Sequence, residues 1–119
     1  MKNYQDLIIW QKSMELTEEV YRLIRFFPKE ELFALSTQLK RACISIPSNI
    51  AEGYSRSTTK EYIRFLYIAR GSLSEMQTQL LLGIKLNFIT EDQVSKALSL
   101  SNEIGKMLNS IISKLIPKS

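Results

Sequence analysis

Histidine is missing from this 119-residue chain, and cysteine occurs once. The first absence removes the usual general base, the commonest metal ligand and the side chain that switches charge near neutral pH. The second excludes an internal disulfide, a CxxC redox pair and a thiolate zinc cage. Cys43 lies between Ala42 and Ile44 in an apolar stretch, where a thiol reads as a small buried hydrophobe rather than a reactive group. Glycine (4) and proline (3) are scarce, so collagenous and low-complexity architectures are excluded. Long hydrophobic runs are absent too: the stretch Leu7 to Trp10 falls far short of the ~18 residues that cross a bilayer. No basic-then-apolar leader opens the chain, so a cytoplasmic location away from membranes is expected. Metals and cofactors are not expected either.

What is present is an ordinary globular composition, 45% apolar and 24% charged. The length suits one domain with one real core. The net charge of +4 is unevenly placed. Between residues 40 and 70, six cations (Lys40, Arg41, Arg56, Lys60, Arg64 and Arg70) face only Glu52 and Glu61. The rest of the chain is electrically balanced. Such a local excess suits a polyanion partner, with an ordinary solvated face as the other reading.

Apolar spacing divides the chain into four helical segments. In the first, Leu7, Trp10, Met14, Thr17, Tyr21 and Ile24 form one row. A second row, Ile9, Ser13, Leu16, Val20, Leu23 and Phe27, runs beside it. Together they make a face wider than one neighbouring helix would cover. Pro28 ends this segment, since the residue before proline is driven out of the helical region. The second segment carries Leu32, Leu35, Leu39, Cys43, Ile46 and Ile50. Pro47 inside it predicts a kink or restart, and Gly53 a stop. Thr58-Thr59-Lys60-Glu61 has capping-box spacing and opens the third segment, striped by Tyr62, Phe65, Ala69, Leu73, Met76, Leu80 and Ile84. Gly71 in its middle marks either a close helix contact or a tolerated cost. Thr90-Glu91-Asp92-Gln93 starts the last segment, whose stripe is Val94, Ala97, Ser101, Ile104, Leu108, Ile111 and Leu115. The predicted helices run roughly over 6–26, 31–53, 58–87 and 91–115. Short links between long helices favour an all-α, up-down-up-down antiparallel four-helix bundle in a single domain.

The sharpest local site is the entry to the third segment. Ser55, Ser57, Thr58 and Thr59 place hydroxyls beside free helix amides, flanked by Arg56 and Lys60. A helix start of this kind attracts phosphate, although simple capping explains Thr58 without a ligand. Lys60 and Arg64 are four apart and share a face near Tyr67, a pairing that can track a phosphate backbone and stack a base. Lys40 and Arg41 can join that surface from the second segment, while Arg70 has Glu75 or a neighbouring subunit as its expected partner. Trp10 reads as core or subunit-interface packing rather than a stacking platform. Glu15, Glu18 and Glu19 lack the Glu-x-x-His partners of di-iron bundles, and Glu18 is expected to pair with Arg22. Glu52 is expected to anchor Arg56 or a neighbouring chain. No catalytic constellation emerges, so a non-enzymatic role is expected. Two function classes remain: a nucleic-acid binder working through phosphate contacts, or a protein-interaction scaffold whose basic surface docks an acidic or nucleoprotein partner.

Three stretches resemble one bacterial family: "DLIIWQKSMELTEEVYRL", "FPKEELFALSTQLKRACISIPSNIAEGYSR" and "KEYIRFLYIARGSLSEMQTQLLLGIKLNFI". It is the four-helix-bundle family encoded in intervening sequences of 23S ribosomal RNA genes and also found outside them. The specific part is "SIPSNIAEGYSR", Ser45 to Arg56, which helical periodicity alone would not produce. The resemblance implies a small four-helix bundle assembled into a ring-like homopentamer. It also implies likeness to the accessory protein of diversity-generating retroelements, a pentamer that binds nucleic acid and a reverse transcriptase. It brings no catalytic residues.

Overall fold

The structure, a computed structural model, describes residues 3–117. A short 3-10 turn at Tyr4–Asp6 leads into α1 (Ile8–Ile24). A second 3-10 turn at Lys29–Glu31 precedes α2 (Leu35–Tyr54), followed by α3 (Thr59–Lys85) and α4 (Glu91–Leu115). No strand occurs among the described residues. The chain is all-helical, a rod of 48 × 22 × 22 Å.

Each helix packs on two neighbours, α1 on α2 and α4, and α3 on α2 and α4. Cross-contacts descend along one helix as they ascend along the next, the order that antiparallel neighbours produce. Thr17 meets Cys43 and Tyr21 meets Lys40 between α1 and α2. Ser45 meets Ser72, and Gly53 meets Phe65, between α2 and α3. Arg70 meets Asn109 and Gln77 meets Ser101 between α3 and α4. Lys12 pairs with Glu103, and Lys96 with Glu15 and Glu19, between α1 and α4.

The core is drawn from all four helices: Leu16 and Val20, then Leu39, Ile46 and Ile50, then Leu66, Met76 and Leu80, then Ile104 and Leu108. Each buried aliphatic side chain contributes about 1.5–3 kcal/mol. On α1 the buried row is Ile9, Ser13, Leu16, Val20 and Leu23. The other row lies at the seam with α2, where Trp10 is half-buried and Met14 and Tyr21 are exposed. The buried Ser13 hydroxyl donates to the Ile9 carbonyl at 2.7 Å, so the polar position in the core is satisfied.

Several local expectations change. The α2 helix starts at Leu35, because residues 29–31 form a 3-10 turn and Ala34 adopts φ −125°, ψ −108°. Leu32, read as part of the buried stripe, is 49% exposed as a result. The helix continues through Pro47 to Tyr54 without a restart. Proline has no N–H for the Cys43 carbonyl one turn back, and the Thr17 hydroxyl of α1 reaches that oxygen at 3.1 Å. Gly53 does not stop α2. It is a buried helical residue where a Cβ would come within 2.7 Å of the Phe65 Cβ, so it admits close approach of α3. A Cβ at Gly71 would enter open space, so this glycine admits no close helix contact and is simply tolerated. The α3 helix ends at Lys85 in a Schellman arrangement: Asn87 takes φ 64°, its N–H reaches the Ile84 carbonyl, and Phe88 N–H reaches Gly83.

Candidate nucleic-acid interface

The turn between α2 and α3 is built by local bonds. The Ser55 hydroxyl donates to the Ala51 carbonyl at 2.9 Å and closes the end of α2. The Thr58 hydroxyl accepts from Glu61 N–H at 3.2 Å and opens α3. The reciprocal half of the predicted capping box is not made, because the Glu61 carboxylate takes the Arg64 guanidinium at 2.9 Å instead. That bond holds the Glu61 carboxyl below the usual carboxylate range. By contrast, Thr90 and Gln93 complete both halves of their box at the start of α4.

Arg56 and Arg64 converge on one ring. Their guanidinium carbons lie 4.9 and 4.5 Å from the Phe65 centroid, so both cations cover an aromatic side chain that is only 6% exposed. Arg56 is also tied to Glu52 at 2.8 Å, as the sequence suggested. Lys60 is exposed and borders a small hollow of about 250 Å³ with Thr59, Ile63 and Pro117. Ser57 and Thr59 are exposed at the same corner. Here the structure brings together Arg56, Lys60, Arg64, Ser57 and Thr59, while Ser55 and Thr58 are engaged in capping.

The other cations stand apart. Lys40 lies 5.6 Å from the Tyr21 ring at the α1–α2 seam, with the exposed Arg41 beside it. Fourteen helical residues separate Lys40 from the end of α2, about 21 Å at 1.5 Å per residue. Arg70 faces α4. Its guanidinium covers the Tyr67 ring at 4.7 Å and donates to Asn109 Oδ1 at 3.1 Å, so Glu75 is not its partner and Tyr67 does not join Arg64. Likewise Arg22 pairs with Glu19 at 2.6 Å rather than with Glu18. Asn109 was missed from sequence, being 39 residues from Arg70. The available signal was the acid-free polar spacing Asn102, Lys106, Asn109 on α4.

Among the described residues no group of carboxylates and thiols could hold a metal ion. Burial pushes the Cys43 thiol up to about 11, far from a nucleophile's range. No helix is long and apolar enough to cross a membrane, among the same residues.

Residues 5–110 match the family described as 23S rRNA-intervening sequence protein. A solved protein of unknown function, from the S23 ribosomal protein family of Bacteroides thetaiotaomicron VPI-5482, is similar in structure. It is 31% identical with a TM-score of 0.82, over 88% of this chain and 98% of the other. No curated protein matches the chain.

Proposed function

We propose that this chain, which belongs to the 23S rRNA-intervening sequence protein family, is a non-enzymatic oligomeric bundle that binds RNA or DNA through backbone phosphates. The observation that carries the reading is the location of the whole positive excess on the α2–α3 hairpin. Three of those cations meet at one corner beside exposed hydroxyls. Arg56 and Arg64 are held against Phe65 and paired to Glu52 and Glu61, so they are pre-oriented. Pre-orientation lowers the ordering cost of a contact. Exposed ion pairs of this kind are weak, so a phosphate can replace the carboxylate at small cost. Nothing at the corner resembles a base-reading motif, which suits binding without strong sequence preference.

Assembly is the second half of the reading. Trp10, Met14, Thr17, Ile44 and Pro47 line an open groove of about 380 Å³ between α1 and α2. Apolar surface of this kind marks interfaces. The pentamer number comes from the family resemblance alone.

Titration with short RNA and DNA at two salt concentrations tests the binding. Replacing Arg56, Lys60 and Arg64 by glutamine is expected to weaken both nucleic acids and flatten the salt dependence, with a log-log slope near −0.7 per contacted phosphate on single strands. Equal binding by parent and variant at every salt concentration would remove the corner as the site. It would leave the hairpin as a docking surface for an acidic protein or nucleoprotein.

A further inference from the structure

Between α3 and α4 runs a polar groove of about 440 Å³, its wall built from Arg70, Ser74, Gln77, Asn102, Lys106 and Asn109. Among the described residues no carboxylate lines it, although the chain as a whole carries 12 acids. Glu103, the nearest acid in sequence on α4, is turned away and held by Lys12 of α1 at 2.9 Å. Two cations therefore face a cleft with no acid of its own, unlike the α2–α3 corner, where Arg56 and Arg64 each hold a carboxylate. Gly105 leaves the floor bare, with Leu73 beneath it at ordinary contact distance from where a Cβ would stand.

The donors and acceptors are also arranged. Gln77 Nε2 donates to the buried Ser101 hydroxyl at 2.9 Å, which fixes one carboxamide across the groove. Asn109 Oδ1 accepts from Arg70, which leaves the Asn109 amide hydrogens and most of the guanidinium's five N–H donors for a ligand. Tyr67, 42% exposed, stands under that guanidinium. Cations and carboxamides together suit a phosphodiester and the polar edge of its base. The volume is that of a small-ligand cleft, enough for a nucleotide unit. On α3, Arg64 and Arg70 are six residues apart, about 9 Å along the helix, but they serve different faces, Arg64 lying over Phe65 and Arg70 facing α4.

We infer that the α3–α4 groove of Arg70, Lys106 and Asn109 holds a nucleotide of single-stranded nucleic acid, an inference that rests on the nucleic-acid reading above and moves its centre off the corner. Single-stranded RNA, single-stranded DNA and a duplex are the three probes, with fluorescence anisotropy on the full chain. The double variant Arg70→Gln/Lys106→Gln is expected to bind both single strands about tenfold more weakly, with a salt slope shallower by about 1.4, the value for two lost phosphate contacts. A charge-matched control, Lys29→Gln/Lys85→Gln, is expected to retain most of the affinity, and the parent is expected to prefer single strands over duplex. Asn109→Asp, which brings a carboxylate to Arg70, is expected to weaken binding while the helical circular dichroism stays unchanged. If the parent binds no nucleic acid, the reading above fails and the inference with it. If the parent binds but the groove variant matches the control, or if duplex binds as well as single strand, the groove inference alone is overturned.

Discussion

A proline inside a packed helix leaves one carbonyl without its donor, and here the donor comes from another helix. The Thr17 hydroxyl lies 3.1 Å from the Cys43 carbonyl and 2.9 Å from that of Ser13, one hydrogen between two acceptors. Thr17→Val is therefore expected to cost about 1–2 kcal/mol in urea denaturation, the penalty for stranding a buried acceptor. That penalty is expected to shrink in a Pro47→Ala background, where residue 47 supplies its own N–H. Equal penalties in both backgrounds would show that the hydroxyl does not serve this carbonyl. Cys43 itself gives a pH signature. Burial raises its thiol from an ordinary 9.0 to about 11, so the folded chain keeps the proton that the unfolded chain loses first. Stability is then whole below about pH 9 and declines between 9 and 11, by at most about 1.4 kcal/mol per pH unit. Half-buried Tyr62, raised by burial, adds in the same direction at higher pH. Cys43→Ala is expected to lose the cysteine part of this decline while being less stable at neutral pH, as read from urea midpoints across that range.

Two glycines in neighbouring helices are expected to respond to alanine with opposite signs. Gly53→Ala drives a Cβ to 2.7 Å from the Phe65 Cβ and 3.1 Å from the Tyr62 ring. Overpacking of this kind costs about 1–3 kcal/mol. Gly71→Ala enters open space on α3 and is expected to gain up to ~1 kcal/mol of helix propensity. Thermal melts of the two single variants check both, and a shift of the same sign in the two would refute the assignment. The pair also shows what the sequence could tell. Periodicity found the existence of the helices and most of their buried stripes, since burial of one face is a local property of spacing. It read Gly53 as a stop because the approach of Tyr62 and Phe65 is a tertiary event. It could not rank the two rows of α1, which are equally apolar until α2 and α4 are in place. The candidate site was legible in the same partial way. The charge of Arg56, Lys60 and Arg64 on one corner follows from a tight turn. The pairing of Arg70 with Asn109 depends on the packing of α4, and the polar spacing of Asn102, Lys106 and Asn109 does not by itself name the partner.

For the whole molecule, the proposed assembly concentrates what a single chain offers thinly. One hairpin carries a modest positive excess, whereas repeated copies around an axis sum to a field that steers a polyanion. One apolar surface open to that assembly is the α1–α2 seam, where Met14 is 42% and Ile44 45% exposed beside half-buried Trp10. These two side chains lie outside the core, so charging them spares the bundle's interior. Met14→Glu/Ile44→Glu is expected to reduce the particle to a monomer by light scattering at micromolar concentration, with helical circular dichroism intact. Binding of a short oligonucleotide, which one subunit can hold, should survive that change. Binding of a long strand should weaken far more, because linked sites lose their effective concentration when the subunits separate. The corner variant, Arg56→Gln/Lys60→Gln/Arg64→Gln, is expected to do the reverse, keeping the particle size while losing affinity for short and long strands alike. A parent protein that is already monomeric at that concentration would refute the assembly, and the long-strand advantage should then be missing from the parent as well.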